Sequence, residues 1–146
     1  MKRIILSTFA ILFAILANAQ SASVTLPQPV SMSFTQSFNN VKDVVWEKQG
    51  KKFKAQFKID NVAHMVIYKD SGTKLIHQYT IPLNLLPKEV YDGAQEEFTG
   101  GKIEAAEKIE NEGKTEYQLS IGNGDTPIKI IVSDRGRLIK NLSEEQ

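Results

Sequence analysis

The chain has two histidines, His64 and His77, and no cysteine. A structural or catalytic metal needs three or four converging ligands. No cluster of His, Asp or Glu at ligand spacing accompanies the pair, so neither a metal nor another cofactor is expected. The lack of thiols excludes a disulfide framework, a thiolate site and a cysteine nucleophile. A serine or threonine nucleophile requires a base beside its hydroxyl. No Gly-x-Ser-x-Gly occurs, and Ser71 in Asp-Ser-Gly reads as a turn residue. Glu104, Glu107 and Glu110 recur every three residues, which on a strand prevents all three from sharing a face as a paired acid and base would. Gly122-Asn123-Gly124-Asp125 lacks the helix that follows a phosphate loop and reads as a hairpin turn. The sequence therefore predicts a protein that is not an enzyme.

Lysines offer a different chemistry. Lys52, Lys54 and Lys58 alternate with Phe53, Ala55, Phe57 and Ile59, a period of two that places the lysines on one face of a strand. In the following strand Ala63, Met65 and Ile67 are expected on the apolar face, with His64, Val66 and Tyr68 on the other. Hairpin pairing would then set His64, Val66 and Tyr68 beside the lysines. These six residues make the candidate partner-binding surface, with cations beside an aromatic and an aliphatic group suiting an acidic or amphipathic partner. Charge is unevenly divided: Pro29 to Gln78 holds 8 basic and 4 acidic residues, Pro82 to Asn141 holds 8 and 11. Such polarity can steer a charged partner. Trp46, the single tryptophan, shares its alternate with Val44 and is expected in the core.

The elements that must position these groups follow from the periodicity. Lys2 and Arg3, the apolar run Ile4 to Leu16 and Ala17-Asn18-Ala19 form an export signal over 1–19, with cleavage leaving Gln20 first and no membrane anchor. Its removal leaves 16 basic against 17 acidic residues, a near-neutral balance that argues against a nucleic-acid partner. Residues 20–29 read as a flexible mature N-terminus and 142–146 as a polar tail. Between them, Val30, Phe34 and Phe38 recur as one helix stripe, and Leu86, Val90, Ala94 and Phe98 as another. Each stripe precedes a run of short strands separated by Gly, Asn and Asp turns.

The two halves resemble each other. Trp46-Glu47-Lys48-Gln49-Gly50 lies over Ile109-Glu110-Asn111-Glu112-Gly113, Asp70-x-Gly72 over Asp134-x-Gly136, and Leu75-Ile76 over Leu138-Ile139, at offsets of 63 or 64 residues. Constant offset is the mark of an internal repeat. The expected fold is α+β, with two tandem units at 30–80 and 81–141, each a helix on a four-stranded antiparallel sheet.

This arrangement, with VVWEKQGKKFKAQFK and IPLNLLPKEV opening the second copy, resembles the PepSY-like family, whose exported bacterial members are also described as beta-lactamase-inhibitor-like. The resemblance covers Pro29 to Asn141 and implies tandem helix-plus-sheet units, a periplasmic or secreted location, and a binding or inhibitory role. No functional residue is carried over from it. Two functions are consistent with the residues. One is an exported, non-catalytic module engaging a protein or peptide of the cell envelope through an open sheet face. The other is a small-ligand carrier with a pocket between the two units.

Overall fold

The computed structural model describes residues 23–143, apart from 123 and 125. The export signal, Gln20 and two residues of the Gly122–Asp125 turn lie outside the described residues.

Two helices form where the four-residue stripes predict them. Helix α1 spans Gln28–Ser37 and α2 spans Lys88–Glu97, entered through Pro27 and Pro87. Proline suits a helix start because its missing N–H falls among donors that have no helical partner. Val30 and Phe34 of α1, and Val90 and Ala94 of α2, are the buried positions. Each helix closes on its stripe: the Phe38 N–H donates to the Phe34 carbonyl, and the Phe98 N–H to the Ala94 carbonyl.

The strands are β1 (Val45–Gln49), β2 (Lys52–Ile59), β3 (Val62–Lys69), β4 (Lys74–Ile81), β5 (Lys102–Asn111), β6 (Lys114–Gly122), β7 (Ile128–Ser133) and β8 (Leu138–Asn141). They make one antiparallel sheet of eight in the order β1 to β8. This corrects the expected fold class. Two separate four-stranded sheets do not form, because β4 pairs with β5 from Ile76 opposite Asn111 to Ile81 opposite Ala106. An edge strand carries unpaired N–H and C=O groups, and two such edges satisfy each other by joining. The molecule is mostly β, with two short helices laid on a continuous sheet.

Directly paired residues of an antiparallel ladder point to the same face. One rung runs Phe57, His64, Tyr79, Lys108, Tyr117, Val132 across six strands. Phe57 packs under α1 with Phe53, Ala55, Val66 and Tyr68, while Tyr117 and Val132 pack under α2 with Ile103, Ala106, Leu119, Ile121 and Ile130. Both helices therefore cover one face and form two cores beneath it.

The repeated Asp-x-Gly is a device that seats each helix. In the β3–β4 turn the Gly72 N–H donates to the Lys69 carbonyl and the Lys69 N–H to Thr73. In the β7–β8 turn Gly136 donates to Ser133, and Ser133 to Arg137. Both glycines have positive φ, 84° and 76°. A Cβ on Gly72 would lie 2.5 Å from the Pro29 carbonyl oxygen, and one on Gly136 would lie 2.1 Å from that of Glu89. Only a residue without a side chain lets the turn meet the first turn of the helix backbone.

Candidate functional site

The face turned away from both helices starts with Val45, Glu47 and Gln49 of β1 and continues into β2. Lys52 and Lys58 are exposed there and Lys54 is half-buried, bonded to Glu47 of β1. Their partners on β3 are Lys69, Ile67 and Ala63. The expected companions of the lysines are elsewhere. Val66 and Tyr68 are wholly buried beneath α1, and His64 shares that side. Both alternates of β3 are largely apolar, so its own pattern does not choose a face. The turn chooses it. Asp60 and Asn61 both have positive φ, as a tight two-residue hairpin requires, and this register sets Phe57 opposite His64, Ala55 opposite Val66 and Phe53 opposite Tyr68. The Tyr68 hydroxyl lies near Ser33 and Ser37 without a well-aligned hydrogen bond, and burial pushes its pKa up to about 12.

The helix-free face thus carries Ala63, Met65, Ile67 and Lys69 on β3, Ile76 and Gln78 on β4, Glu107 and Ile109 on β5, and Glu116 and Gln118 on β6. Ile109 is 7% exposed although it belongs to neither core and no described helix covers it. Its direct cross-strand neighbours on this face are Gln78 of β4 and Glu116 of β6. Around the Asp60 end of the sheet runs a trough of about 1150 Å³, walled by the loop Asn39–Asp43, with Lys58, Met65, Gln78 and Glu107 lining it from the helix-free face and Phe38, Phe57 and His64 from the helix side.

On the helix side, the structure joins the two histidines. His64 Nδ1 and His77 Nε2 lie 3.0 Å apart, and His77 Nδ1 lies 3.5 Å from a Glu110 carboxylate oxygen. The rings of Phe57 and Tyr79 stack on either side of His64, and Phe38 meets His77 edge-on. Burial lowers the pKa of both imidazoles, with Glu110 opposing the shift at His77. Burial raises the Glu110 pKa, but the bond to Lys108 together with the charges of Lys108, His77 and Lys74 leaves the carboxyl below its ordinary value. Among the described residues, no three His, Cys, Asp or Glu converge as a metal would require. Glu107 and Glu110 lie on opposite faces, as strand alternation demands, and Ser71 Oγ is bonded to Thr73 Oγ1 in its turn. Trp46 is half-buried and meets Phe34 edge-on at 5.1 Å. Among the described residues no helix is long and apolar enough to cross a membrane.

No family model matches the chain, and no curated protein matches it. Solved structures do. A DUF2874 family protein from Bacteroides uniformis aligns with TM-score 0.70 at 16% identity, over 84% of this chain and 94% of its own. A BLIP-like protein from Bacteroides fragilis aligns with TM-score 0.66 at 18% identity, over 84% and 89%. A Bacteroides eggerthii protein provisionally described as periplasmic aligns with TM-score 0.69 at 14% identity, over 81% and 88%. At these identities the likeness speaks for the fold. The inhibitor-like part of the expected resemblance has a counterpart among these neighbours, and none of the three is described as PepSY-like.

Proposed function

We propose that the chain is an exported, non-catalytic binding module that engages a protein or peptide of the cell envelope through the helix-free face of its sheet. One observation carries the reading. That face combines shielded apolar groups, Ile67, Ile76, Met65 and Ile109, with the exposed cations Lys52, Lys58 and Lys69, and no described element covers it. Solvated sheet faces are ordinarily polar along the whole alternate, whereas a buried apolar centre with a charged rim is the anatomy of a protein interface. Export is supported by the amino-terminal pattern and by the periplasmic description of one structural neighbour. An inhibitory action is the finer form of this reading, favoured by the BLIP-like neighbour.

The carrier reading is less favoured. Its pocket would be enclosed and set between the halves, while the large trough lies at the Asp60 end with Lys42, Asp43, Gln56 and Lys58 exposed along it. The test is capture of a partner from the envelope fraction, followed by reversal of Lys52, Lys54 and Lys58 to Glu. Reversal at the exposed Lys52 and Lys58 should change stability by less than about 0.5 kcal/mol each. Reversal at half-buried Lys54 should cost more, because it sets a second carboxylate against Glu47. Association should slow and lose its salt dependence. Unchanged capture kinetics in the folded triple variant would reject this face. Assaying the captured partner with and without the chain then reads inhibition directly.

A further inference from the structure

Glu107 is gripped from both sides. Gln78 Nε2 on β4 donates to Glu107 Oε2 at 2.7 Å, and Gln118 Nε2 on β6 donates to the same oxygen at 2.8 Å. Its other oxygen accepts no hydrogen bond from a described residue, and no described lysine, arginine or histidine pairs with this carboxylate. The contrast with its neighbours is plain, since Glu47 is met by Lys54 and Glu110 by Lys108.

Neutral amides hold a carboxylate in place without cancelling its charge. A half-buried anion that has given up hydration and gained no counter-charge is favourable chiefly once a cation arrives. Two donors on one oxygen also fix the side chain beforehand, so little conformational freedom is lost when the free oxygen is used. The amide oxygens of Gln78 and Gln118 likewise accept nothing from a described residue. A guanidinium, with five donors in a plane, answers such a group of acceptors better than an ammonium does. Met65 lines the same trough and offers apolar surface for the methylene stem.

We infer that Glu107, with Gln78 and Gln118, is the seat for an arginine side chain of the polypeptide that binds the helix-free face. The inference rests on the reading of that face as the interaction surface and adds the partner's chemistry. On this face Lys52, Lys54, Lys58 and Lys69 stand on β2 and β3, Glu107 and Glu116 on β5 and β6, and Lys129 and Lys140 on β7 and β8, so the two carboxylates lie between flanking lysines.

The experiment titrates isotope-labelled protein with acetyl-Ile-Arg-Ile amide and with the same peptide holding citrulline, a neutral isostere, in place of arginine. The side-chain amide resonances of Gln78 and Gln118 should shift saturably with the arginine peptide, and the citrulline peptide should bind about tenfold more weakly, the weight of a charge-assisted hydrogen bond. Glu107→Gln should erase the preference. Glu107→Asp keeps the charge but withdraws it from both amides, and should reduce the preference, which covers the case in which Glu107→Gln folds poorly. Equal shifts from both peptides, shifts scattered away from these amides, or a preference that survives Glu107→Gln would overturn the seat. Lysine reversal at Lys52, Lys54 and Lys58 should leave the arginine preference intact. The seat and the lysine face therefore fail independently.

Discussion

His64 and His77 face each other from adjacent strands at 3.0 Å, nitrogen to nitrogen, on the seam between the two helix-covered cores. One ring must donate and the other accept, so the contact requires at least one neutral imidazole.

Acid should therefore loosen the fold before it reaches the carboxylate range. Both histidines have lowered pKa values when folded, so the unfolded chain binds protons that the folded one refuses. Their contribution to stability is complete above the ordinary histidine value and is lost as pH falls through it toward the lowered folded values. Around the pair, Glu110 favours protonation of His77 and Lys74 opposes it. Glu110, itself lowered, contributes stability that is lost only at more acidic pH. The urea midpoint should drop between about pH 7.5 and about pH 5.5, and His64→Phe, flanked by Phe57 and Tyr79, should shrink that drop. An equal drop in wild type and variant would show that the pair does not titrate with folding.

The turn glycines should separate strain from collision. Gly113 has φ 84° with open space around its missing side chain, whereas Gly136 has φ 76° with the Glu89 carbonyl in the way. Gly113→Ala should cost about 1 kcal/mol for the left-handed backbone alone. Gly136→Ala and Gly72→Ala should each exceed it by about 2 kcal/mol or more, because the helix must move. Thermal melts of the three variants check the order.

Tyr68 and Leu119 are both fully buried, yet truncation should treat them differently. Leu119→Ala leaves a cavity in the α2 core and should cost about 3 kcal/mol. Tyr68→Phe removes only a hydroxyl that lacks a well-aligned partner, and stability should change by less than about 1 kcal/mol. Neither change should alter capture of a partner by the opposite face.

Residues 82–146 expressed alone should fold poorly. In the intact chain β4 pairs with β5 from Ala106 to Asn111, and the isolated fragment would expose that edge. A sharp, independent melt of the fragment would show that the β4–β5 ladder is dispensable.

Much of this architecture was legible. The Phe34 and Val90 stripes gave both helices, and the Lys52–Ile59 alternation gave both the strand and its outward lysines. Joining of the halves was not legible, because β4 and β5 read the same whether each is an edge or they are partners. The facing of β3 was not legible from its own residues, because Met65 and Ile67 on one alternate are as apolar as Val66 and Tyr68 on the other. The signal that decides it was present in Asp60-Asn61, whose two-residue turn fixes which residues stand opposite. Glu107 could not be singled out, since its two amides come from residues 29 and 11 positions away. The histidine contact was hidden similarly, because it depends on the register of β3 against β4.

The strand order bears on how the chain reaches this state. Each strand neighbours its successor in the chain, so seven ladders can each close over a local loop. Six of them need only a short reversal. The seventh, β4 to β5, must first accommodate Pro82 to Gly101, with α2 inside that span. Loop closure is what slows sheets whose partners are remote in sequence, and here it is nearly absent. Hairpins can zip as soon as their residues are available, from either end. The one crossing that carries a helix should then set the pace, and folding should slow when that connection is lengthened, while lengthening the β5–β6 turn should matter little.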